Sequence, residues 1–330
     1  MKRGCMSELS NASVLITGGT GSFGKAFARY ALDNLNPSRI AILSRDELKQ
    51  YEMREEFGGG APFRWFLGDI RDKERLNRAF KGVDYVIHAA ALKQVDTAEY
   101  NPFEFVKTNI LGSQNVIDAC IDAGVKKVVA LSTDKASSPI NLYGATKLTA
   151  DKLFVAGNNY SHLQETRLAV VRYGNVMGSR GSVVPFFRKK MEAGEPLPIT
   201  DERMTRFWIT IDQAVKFVVD SFDSMNGGEL FVPRIPSMKL TDLVEAIAPG
   251  YPTVTTGIRP GEKLHEEMIS PDDSHRTIRQ PDRYVVTPTI AEWGFKPVAG
   301  ESVPVGFSYR SDTNDRWMST TELRGILALD

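Results

Sequence analysis

A glycine-rich turn lies between the first apolar run of the chain and its first helical stretch. Residues 14–17 read Val-Leu-Ile-Thr, residues 18–24 read Gly-Gly-Thr-Gly-Ser-Phe-Gly, and Phe23, Phe27 and Ala31 follow at helical spacing. Glycines permit a tight turn and a close backbone approach to pyrophosphate, whose charge the amides of a helix N-terminus stabilise. This order predicts a dinucleotide-binding βαβ unit, and a glycine turn without a ligand is the alternative.

Similar apolar runs recur along the first half of the chain, with helical stretches between them. They are continuously apolar, which is typical of strands buried on both faces rather than on one. The runs occupy residues 14–17, 40–43, 64–67, 85–88, 128–131 and 168–171. Strands that alternate with helices through short connections predict an α/β fold with a Rossmann-type, doubly wound parallel sheet.

The length of 330 residues favours two lobes rather than one core. The alternation weakens after Gly178, where prolines separate shorter elements and helices are predicted near 183–191 and 240–248. We predict a cofactor-binding Rossmann domain at residues 10–178, with a return to its sheet at 205–235. Residues 179–204 and 236–330 are predicted to form a smaller C-terminal, substrate-binding α/β lobe.

Composition and charge exclude several classes of protein. With 42% hydrophobic and 25% charged residues the chain is ordinary globular protein, and 41 basic against 41 acidic residues give no field that would recruit nucleic acid or a membrane. Cys5 and Cys120 cannot build a disulfide framework, and the histidines show no metal-ligand spacing. No apolar segment is long enough to span a bilayer and no signal peptide is evident, so a cytoplasmic protein without metal is expected.

The end of the second predicted strand bears on the choice of cofactor. It reads Ser44-Arg45-Asp46. An acidic side chain at this point holds the ribose hydroxyl of NAD, whereas an arginine or serine meets the 2′-phosphate of NADP. Arg45 beside Ser44 favours NADP, and capping of the following helix is the alternative role of Asp46.

Tyr143 and Lys147 are one helical turn apart, directly after a predicted strand and the turn Leu-Ser-Thr-Asp-Lys at 131–135. A cation near a phenol stabilises the phenolate, so Lys147 is expected to lower the pKa of Tyr143. Lys147 could also hold the cofactor ribose. Alone, this spacing more often marks a solvated helix face; its context here predicts an acid–base pair.

Longer stretches resemble a known family. The glycine turn, the segments at 68–70, 88–91 and 132–135, and the Tyr143 and Lys147 pair resemble the extended short-chain dehydrogenase/reductases. Within that group, residues 44–49, 91–93, 172–176, 178–185, 206–210 and 259–266 resemble the inverting UDP-N-acetylglucosamine 4,6-dehydratases. The resemblance runs from about Val14 to the last helix, with departures at Gln94 and Asp96.

The resemblance implies an NADP-dependent lyase acting on UDP-N-acetylglucosamine. Tyr143, activated by Lys147 and sharing a hydrogen bond with Thr133, is the base for oxidation at carbon 4. Lys135 is the carbon 5 base and Asp134 assists the departure of water across carbons 5 and 6. Hydride then returns to carbon 6, and Lys135 protonates carbon 5 from the opposite face. A lysine in this role is expected to have a lowered pKa; an exposed loop pair is the alternative for Asp134 and Lys135.

The resemblance also assigns binding residues. Those expected to hold NADP are Gly18, Thr20, Gly21, Ser22, Phe23, Gly24, Ser44, Arg45, Asp46, Glu47, Leu48, Lys49, Asp69, Ile70, Ala89, Ala90, Lys93, Ser132, Tyr143, Lys147 and Val176. Those expected to hold the nucleotide sugar are Lys93, Asn175, Arg180, Gly181, Ser182, Val183, Val184, Pro185, Phe186, Phe187, Arg188, Arg206, Arg259 and Glu262. Guanidinium groups suit a diphosphate, although a single arginine is more often a surface charge.

Two other functions stay open. One is a nucleotide-sugar 4-epimerase or another oxidoreductase, which Lys135 after Asp134 disfavours because an epimerase needs no carbon 5 base. The other is a non-catalytic NADP-binding scaffold or sensor, which the intact Tyr143 and Lys147 pair disfavours.

The resemblance further suggests a role in supplying pseudaminic acid or a similar surface glycan. It also suggests a homo-oligomer, because relatives in this fold associate through a helix that corresponds to residues 101–123. The apolar side chains proposed for that contact are Phe103, Phe105, Val106 and Ile110. Burial of the same side chains in the core is the equal alternative.

Overall fold

The structure is a computed structural model that describes residues 7–161, 165–178 and 183–327. Its first half alternates strands and helices, and each of the six predicted apolar runs is a strand. The elements are β1 (Ser13–Thr17), α1 (Ser22–Asn34), β2 (Arg39–Ser44), α2 (Glu47–Phe57), β3 (Phe63–Leu67), α3 (Lys73–Ala79), β4 (Tyr85–His88), α4 (Val95–Tyr100), α5 (Pro102–Phe105), α6 (Gly112–Asp122), β5 (Lys127–Thr133), α7 (Leu142–Tyr160) and β6 (Arg167–Tyr173).

The six strands pair in parallel in the order β3-β2-β1-β4-β5-β6. This is the order of doubly wound dinucleotide-binding sheets, in which a crevice opens at the carboxyl ends of the strands where the order reverses. Every residue of the central strand β1 is buried. The predicted fold class is therefore confirmed, and burial on both faces explains why these runs are continuously apolar.

Shorter elements make up the second half. They are β7 (Asn175–Val176), α8 (Val183–Glu192), β8 (Leu197–Ile199), β9 (Thr205–Ile209), α9 (Ile211–Ser224), β10 (Leu230–Pro233), β11 (Ser237–Lys239), α10 (Leu240–Ile247), β12 (Thr253–Thr255), β13 (Glu267–Ile269), β14 (Thr277–Arg279), β15 (Arg283–Val286), β16 (Glu301–Ser302), β17 (Tyr309–Arg310) and α11 (Thr320–Leu327). The predicted helices near 183–191 and 240–248 correspond to α8 and α10.

The strand pairing divides the chain differently from the predicted boundaries. β10 returns to the first sheet beside β6, as expected for residues 205–235, but β9 pairs instead with β7 and β11 in a separate three-stranded sheet. Strands β15, β14 and β16, from the stretch predicted for the smaller lobe, extend the main sheet beyond β10 in antiparallel pairing. They satisfy the backbone groups of an edge that β10 would otherwise expose.

Helices cover both faces of the main sheet. α1 packs against α9, whereas α3, α6 and α7 pack together, and both α7 and α9 contact β5 and β6. The smaller lobe has a second apolar core around Val184, Phe187, Trp208, Leu243 and Leu323. Within the described residues, no helix combines the length and apolarity that crossing a membrane requires.

The predicted helix at 101–123 is interrupted by a π-helical segment, Val106–Leu111, between α5 and α6. Phe105 is only 1% exposed and its ring meets that of Tyr143 with centroids 6.5 Å apart, so it belongs to the core rather than to a subunit contact. Phe103 is 62% exposed. Of the side chains proposed for an oligomer contact, Phe103 alone lies well exposed on the surface.

Candidate active site

A cavity of about 1130 Å³ opens where the strands of the main sheet end. Its wall contains residues that directly follow β1, β2, β4 and β5, and the last residue of β6, Tyr173. Arg259, Gly261 and Glu262 from the second half of the chain complete it. The cavity thus lies at the carboxyl edge of a doubly wound sheet, where such folds bind ligands.

The glycine turn forms one end of this cavity. Gly18 has φ = 65°, and a Cβ added there would lie 2.9 Å from the Cα of Ala90, so only glycine fits both the backbone conformation and the close approach of the next strand end. α1 begins immediately afterwards and has no acidic side chain in its first turn. A helix start without a competing carboxylate fits the pyrophosphate of a dinucleotide. The turn residues that line the cavity are Gly18, Thr20, Gly21, Ser22 and Phe23.

The end of β2 places polar and charged side chains in the wall of the cavity. The hydroxyl groups of Thr20 and Ser44 are 2.9 Å apart. Asp46 caps α2, accepting a hydrogen bond of 3.0 Å from the backbone N–H of Lys49, and it also pairs with the ammonium of Lys49. Arg45 is half-exposed, with Nη1 3.6 Å from Asp69 Oδ2. The carboxylate at this strand end is therefore engaged in the helix cap, and Arg45 is the cation beside it.

Most of the residues predicted to hold the cofactor meet in this cavity. Besides those of the glycine turn they are Ser44, Arg45, Asp46, Lys49, Asp69, Ile70, Ala89, Ala90, Lys93, Ser132, Tyr143, Lys147 and Val176. Gly24, Glu47 and Leu48 do not line it. Gly24 is buried in the first turn of α1, and Glu47 and Leu48 begin α2, whose Leu48 side chain is exposed to solvent.

The turn after β5 brings an acid and a base into contact. Thr133 ends the strand, and a 3₁₀ turn, Asp134–Ala136, follows it. Asp134 Oδ1 accepts hydrogen bonds from the Thr133 hydroxyl at 2.9 Å and from the Lys135 ammonium at 3.1 Å. Asp134 Oδ2 is buried and has no hydrogen-bond partner among the described residues. Thr133, Asp134 and Lys135 all contribute to the wall of the cavity, and the unpartnered oxygen is unusual because buried polar atoms are normally hydrogen-bonded.

The pKa of Lys135 differs from the expectation. Burial disfavours its ammonium, but the carboxylates of Asp134 and Glu266 outweigh burial and raise the pKa of Lys135 well above its ordinary value. The predicted lowering of this pKa is therefore wrong. The reason is a second carboxylate, Glu266, whose Oε1 lies 3.4 Å from the Lys135 nitrogen.

The pairing of Tyr143 also differs from the expectation. Both Tyr143 and Lys147 lie on α7 and line the cavity, but Lys147 donates its hydrogen bond to the carbonyl oxygen of Leu131 at 2.8 Å. Burial raises the pKa of Tyr143 to about 12, opposed by the charge of Lys135 and by a hydrogen bond with Thr133. Lys147 is not the cation that acts on this phenol, so the prediction that Lys147 lowers the pKa of Tyr143 is wrong. Burial lowers the pKa of Lys147 itself.

A glycine allows α7 to pack closely against the turn Asp134–Ala136. A Cβ on Gly144 would lie 2.1 Å from the carbonyl oxygen of Lys135, so a side chain at position 144 would push the helix away from the turn. The helix is capped beside it, where the Asn141 side chain accepts a hydrogen bond of 2.7 Å from the Gly144 N–H. The mutual placement of Tyr143 and Lys135 follows from this contact.

Fewer of the residues predicted to bind the nucleotide sugar line the cavity than expected. Lys93, Asn175, Val183, Arg259 and Glu262 line the cavity. The others that the structure describes do not line it: Val184 and Phe187 are buried in the second core, and Pro185, Phe186 and Arg188 are exposed on α8. Arg180, Gly181 and Ser182 lie outside the described residues.

Arg206 does not face the cavity. Its side chain is 8% exposed and donates to the carbonyl oxygens of Thr205 at 2.7 Å and of Lys263 at 3.0 Å. It also lies 3.3 Å from a carboxylate oxygen of Glu262 and 3.7 Å from Glu266 Oε1. The structure thus does not bring Arg206 to the cavity wall, because its guanidinium is engaged within the lobe.

Sequence reasoning missed several side chains of this site. Thr108, Tyr173 and Trp208 line the cavity, and the hydroxyl of Thr108 is buried without a partner among the described residues. Tyr173 could have been found, because it ends a strand at the ligand edge of the sheet. Thr108 lies in the π-helical segment, which no local pattern predicts. No group of three or more His, Cys, Asp and Glu suited to a metal occurs in the described part of the chain.

The sheet order, the glycine turn and a tyrosine–lysine helix at one edge define a dinucleotide-binding protein of the short-chain dehydrogenase/reductase type. A family model described as "Polysaccharide biosynthesis protein" matches residues 14–288. The chain belongs to this polysaccharide biosynthesis protein family.

Individual proteins are similar to this chain over most of its length. The UDP-N-acetylglucosamine 4,6-dehydratase (inverting) of Campylobacter jejuni strain 81-176 is 56% identical over 324 residues, 96% of this chain and 97% of the relative. The UDP-glucose 4-epimerase of Rickettsia canadensis is 41% identical, over 79% of this chain and 78% of the relative. The X-ray structure of Pen from Bacillus thuringiensis is 37% identical, with a TM-score of 0.89 over 98% of this chain and 99% of that one. The family resemblance predicted from the sequence is confirmed.

Proposed function

We propose that the protein catalyses NADP-dependent dehydration of UDP-N-acetylglucosamine to a UDP-4-keto-6-deoxy sugar with inversion at carbon 5. The observation that carries the proposal is the contact of Lys135 with Asp134 in the cavity that also contains Tyr143. Together these groups supply a base for carbon 5, an acid for the leaving hydroxyl and a base for carbon 4. The Campylobacter relative that bears this name supports the same reaction.

Oxidation at carbon 4 is the first step. NADP, when bound, accepts and later returns one hydride. Tyr143 takes the proton of the carbon 4 hydroxyl while the hydride leaves the same carbon. The positive charge of Lys135 and the hydroxyl of Thr133 both favour the phenolate of Tyr143, which burial alone disfavours. The resulting ketone acidifies the proton on carbon 5.

Elimination of water is the second step and uses one proton shared by Asp134 and Lys135. With that proton on Asp134, the neutral amine of Lys135 takes the carbon 5 proton, and Asp134 protonates the hydroxyl that leaves carbon 6. The pair ends as carboxylate and ammonium, the arrangement seen at 3.1 Å.

Return of the hydride to carbon 6 is the third step. Lys135 delivers a proton to carbon 5 after the planar 4-keto-5,6-ene intermediate has turned its opposite face toward the amine, which inverts that centre. Tyr143 has then gained one proton and Asp134 has lost one. Thr133 is hydrogen-bonded to both groups and connects them for the transfer that restores the starting state.

The far end of the cavity suits a nucleoside diphosphate. Arg259 and Lys93 are cations in its wall, and Asn175 and Glu262 offer hydrogen bonds to sugar and nucleoside groups. Glu262 is held by the guanidinium of Arg206, so Arg206 positions this wall instead of contacting substrate. Guanidinium groups bind phosphates in bidentate geometry, which makes Arg259 the proposed diphosphate ligand.

NADP is the proposed cofactor because Arg45 is the cation at the end of β2 and the Asp46 carboxylate is engaged in the cap of α2. Replacing Arg45 with alanine should weaken NADP binding about 10- to 100-fold, since a charge-assisted hydrogen bond contributes about 1.5–3 kcal/mol. NAD lacks the phosphate, so its affinity should change little. Calorimetric titration with both cofactors measures this.

Arg54→Ala is the matched control, because Arg54 is an exposed arginine of α2 that does not line the cavity. Its affinity for both cofactors should equal that of the unmodified protein. Equal weakening of NAD and NADP by the Arg45 substitution would contradict the proposed preference.

The reaction itself is tested by incubating the protein with NADP and UDP-N-acetylglucosamine in deuterated water. The expected product has lost one water, carries deuterium at carbon 5 with inverted configuration, and forms without net reduction of NADP. Mass spectrometry and proton NMR measure these three features. Retention of the carbon 5 proton would contradict the role of Lys135.

A 4-epimerase is the second candidate, since a relative at 41% identity is named UDP-glucose 4-epimerase. The same incubation separates the two reactions: an epimerised product keeps the substrate mass and differs only at carbon 4. The contact of Lys135 with Asp134 favours the dehydratase, because epimerisation at carbon 4 needs no base at carbon 5.

We further propose that the product supplies pseudaminic acid or a similar surface glycan, which fits membership of a polysaccharide biosynthesis family. A homo-oligomer is proposed as well, and the exposed side chain of Phe103 beside Tyr100 supports a contact on that surface. Sedimentation velocity of the purified protein measures the oligomeric state.

A further inference from the structure

Glu266 is a buried carboxylate that the proposed steps do not use. It lies just before β13, is 1% exposed, and does not line the cavity. Its backbone is fixed on both sides by Ser311, whose hydroxyl accepts from the Glu266 N–H at 2.9 Å and whose own N–H donates to the Glu266 carbonyl at 2.8 Å. A buried charge is costly unless it is paired, so its placement beside other charged groups needs a physical reason.

The neighbours of Glu266 are two cations from different parts of the chain. Oε1 lies 3.4 Å from the nitrogen of Lys135, in the turn after β5, and 3.7 Å from Nε of Arg206, in β9. Arg206 is itself fixed by carbonyl oxygens of its own lobe. Lys135 therefore lies between two carboxylates, Asp134 from its own turn and Glu266 from the second half of the chain.

We propose that Glu266 is a positioning residue for the chemistry at carbon 5: with its backbone fixed by Ser311 and its carboxylate beside Arg206, it holds the amino group of Lys135 at the cavity and stabilises its charged form. The inference rests on the proposed function only in naming Lys135 as the carbon 5 base. Glu266 contacts neither reacting atom and acts through Lys135.

The direction of the effect follows from the groups around Lys135. Asp134 and Glu266 stabilise the ammonium, as does Tyr143, whereas burial and the charge of Arg206 oppose it, and the sum raises the pKa of Lys135. Lys263 is a further cation nearby, and its ammonium donates to the Ser137 carbonyl at 2.7 Å. Removing the charge of Glu266 leaves one carboxylate against these cations, so Lys135 should lose its proton at lower pH and become a weaker base.

The test is Glu266→Gln, read as solvent deuterium exchange at carbon 5 of the 4-keto product over a range of pH. The ascending limb of the exchange rate should move to lower pH by about one to three units, the usual effect of an opposite charge at this distance. The rate above the limb should fall, because a weaker base abstracts protons more slowly. A lower rate with an unmoved limb would show a merely structural role and overturn the proposal.

Glu267→Gln is the matched control, because this neighbouring carboxylate accepts from the hydroxyls of Ser137 and Ser138 rather than from Lys135. The ascending limb of its pH–exchange profile should coincide with that of the unmodified protein. Glu266→Asp restores the charge and should move the limb back toward its original position. A shift shared by Glu267→Gln, or no recovery with aspartate, would also overturn the proposal.

A second measurement is independent of turnover. In protein labelled with carbon-13 at lysine Cε, the Lys135 signal is identified by its loss in Lys135→Arg and is then followed against pH. It should titrate at lower pH in Glu266→Gln than in the unmodified protein, and an unchanged titration overturns the proposal. If the signal shifts as expected while the unmodified protein removes no water from UDP-N-acetylglucosamine, the proposed function fails and the role of Glu266 stands.

Discussion

Replacing Lys135 with alanine should slow the loss of water from UDP-N-acetylglucosamine by about 10²- to 10⁴-fold or more. Oxidation at carbon 4 should continue at a lower rate, because the charge of Lys135 no longer favours the phenolate of Tyr143. The substitution removes the only group proposed to take and return the carbon 5 proton, and it leaves Tyr143 in place. Reduced cofactor should therefore accumulate together with a 4-keto sugar that retains its 6-hydroxyl. Absorbance of the reduced nicotinamide and product mass, followed in a single turnover, measure both.

Folding must be checked in the same variant. Without the ammonium, the buried carboxylates of Asp134 and Glu266 lose a partner, so the free energy of unfolding should fall. Cofactor titration and thermal unfolding show whether the protein remains folded. Lys152→Ala, an exposed lysine of α7 outside the cavity, is the control and should keep full activity. Dehydration retained without Lys135 would refute its role.

Replacing Tyr143 with phenylalanine should stop the reaction one step earlier. The proton of the carbon 4 hydroxyl then has no acceptor, so reduction of the cofactor should itself fall by about 10²- to 10⁴-fold. The two variants differ in a qualitative way: one reduces NADP without losing water and the other does neither. Reduced cofactor formed at the normal rate by Tyr143→Phe would contradict the assignment.

The pH dependence of the first step provides a further check on Tyr143. Burial raises its pKa to about 12, so only a small fraction is phenolate near neutrality in the free protein. The phenolate fraction grows about tenfold per pH unit below that pKa, and the rate of cofactor reduction should increase with pH accordingly. Tyr160→Phe, at the exposed end of α7, should keep the same profile.

Local sequence patterns were sufficient to predict the six parallel strands of the main sheet and the glycine turn at one end of the site. The six continuous apolar runs correspond to β1 to β6, because burial on both faces leaves a strong signal within a few residues. The glycine turn is equally local: Gly18 needs its backbone conformation wherever this strand and helix meet. Features whose physical cause lies within one element could be predicted.

The raised pKa of Lys135, in the turn after β5, could not be predicted in this way. Lys135 lies 3.4 Å from Glu266, which is distant in sequence and follows His265, a residue that bridges to β9. A spacing of four residues placed Lys147 one helical turn from Tyr143 but did not show that its nitrogen turns toward Leu131. The pKa of Lys135 depends on pairing between distant segments, and the hydrogen bond of Lys147 depends on the direction of its side chain.

The place of strands β14, β15 and β16 in the main sheet could not be predicted for the same reason. Short strands such as β14 and β16 carry too few residues for a clear pattern, and their place in the main sheet depends on β15 pairing with β10. Nothing within residues 277–302 marks them as partners of a strand that lies near residue 230.

The antiparallel extension of the main sheet has a consequence for synthesis of the chain. The open side of β10 is covered by β15, which is translated about fifty residues later, and β14 and β16 complete the same edge. A nascent chain that ends after β10 therefore exposes an unpaired strand edge, which favours aggregation. A fragment truncated after β10 should for this reason be less soluble than the full chain, which the soluble fraction of the two proteins after expression measures.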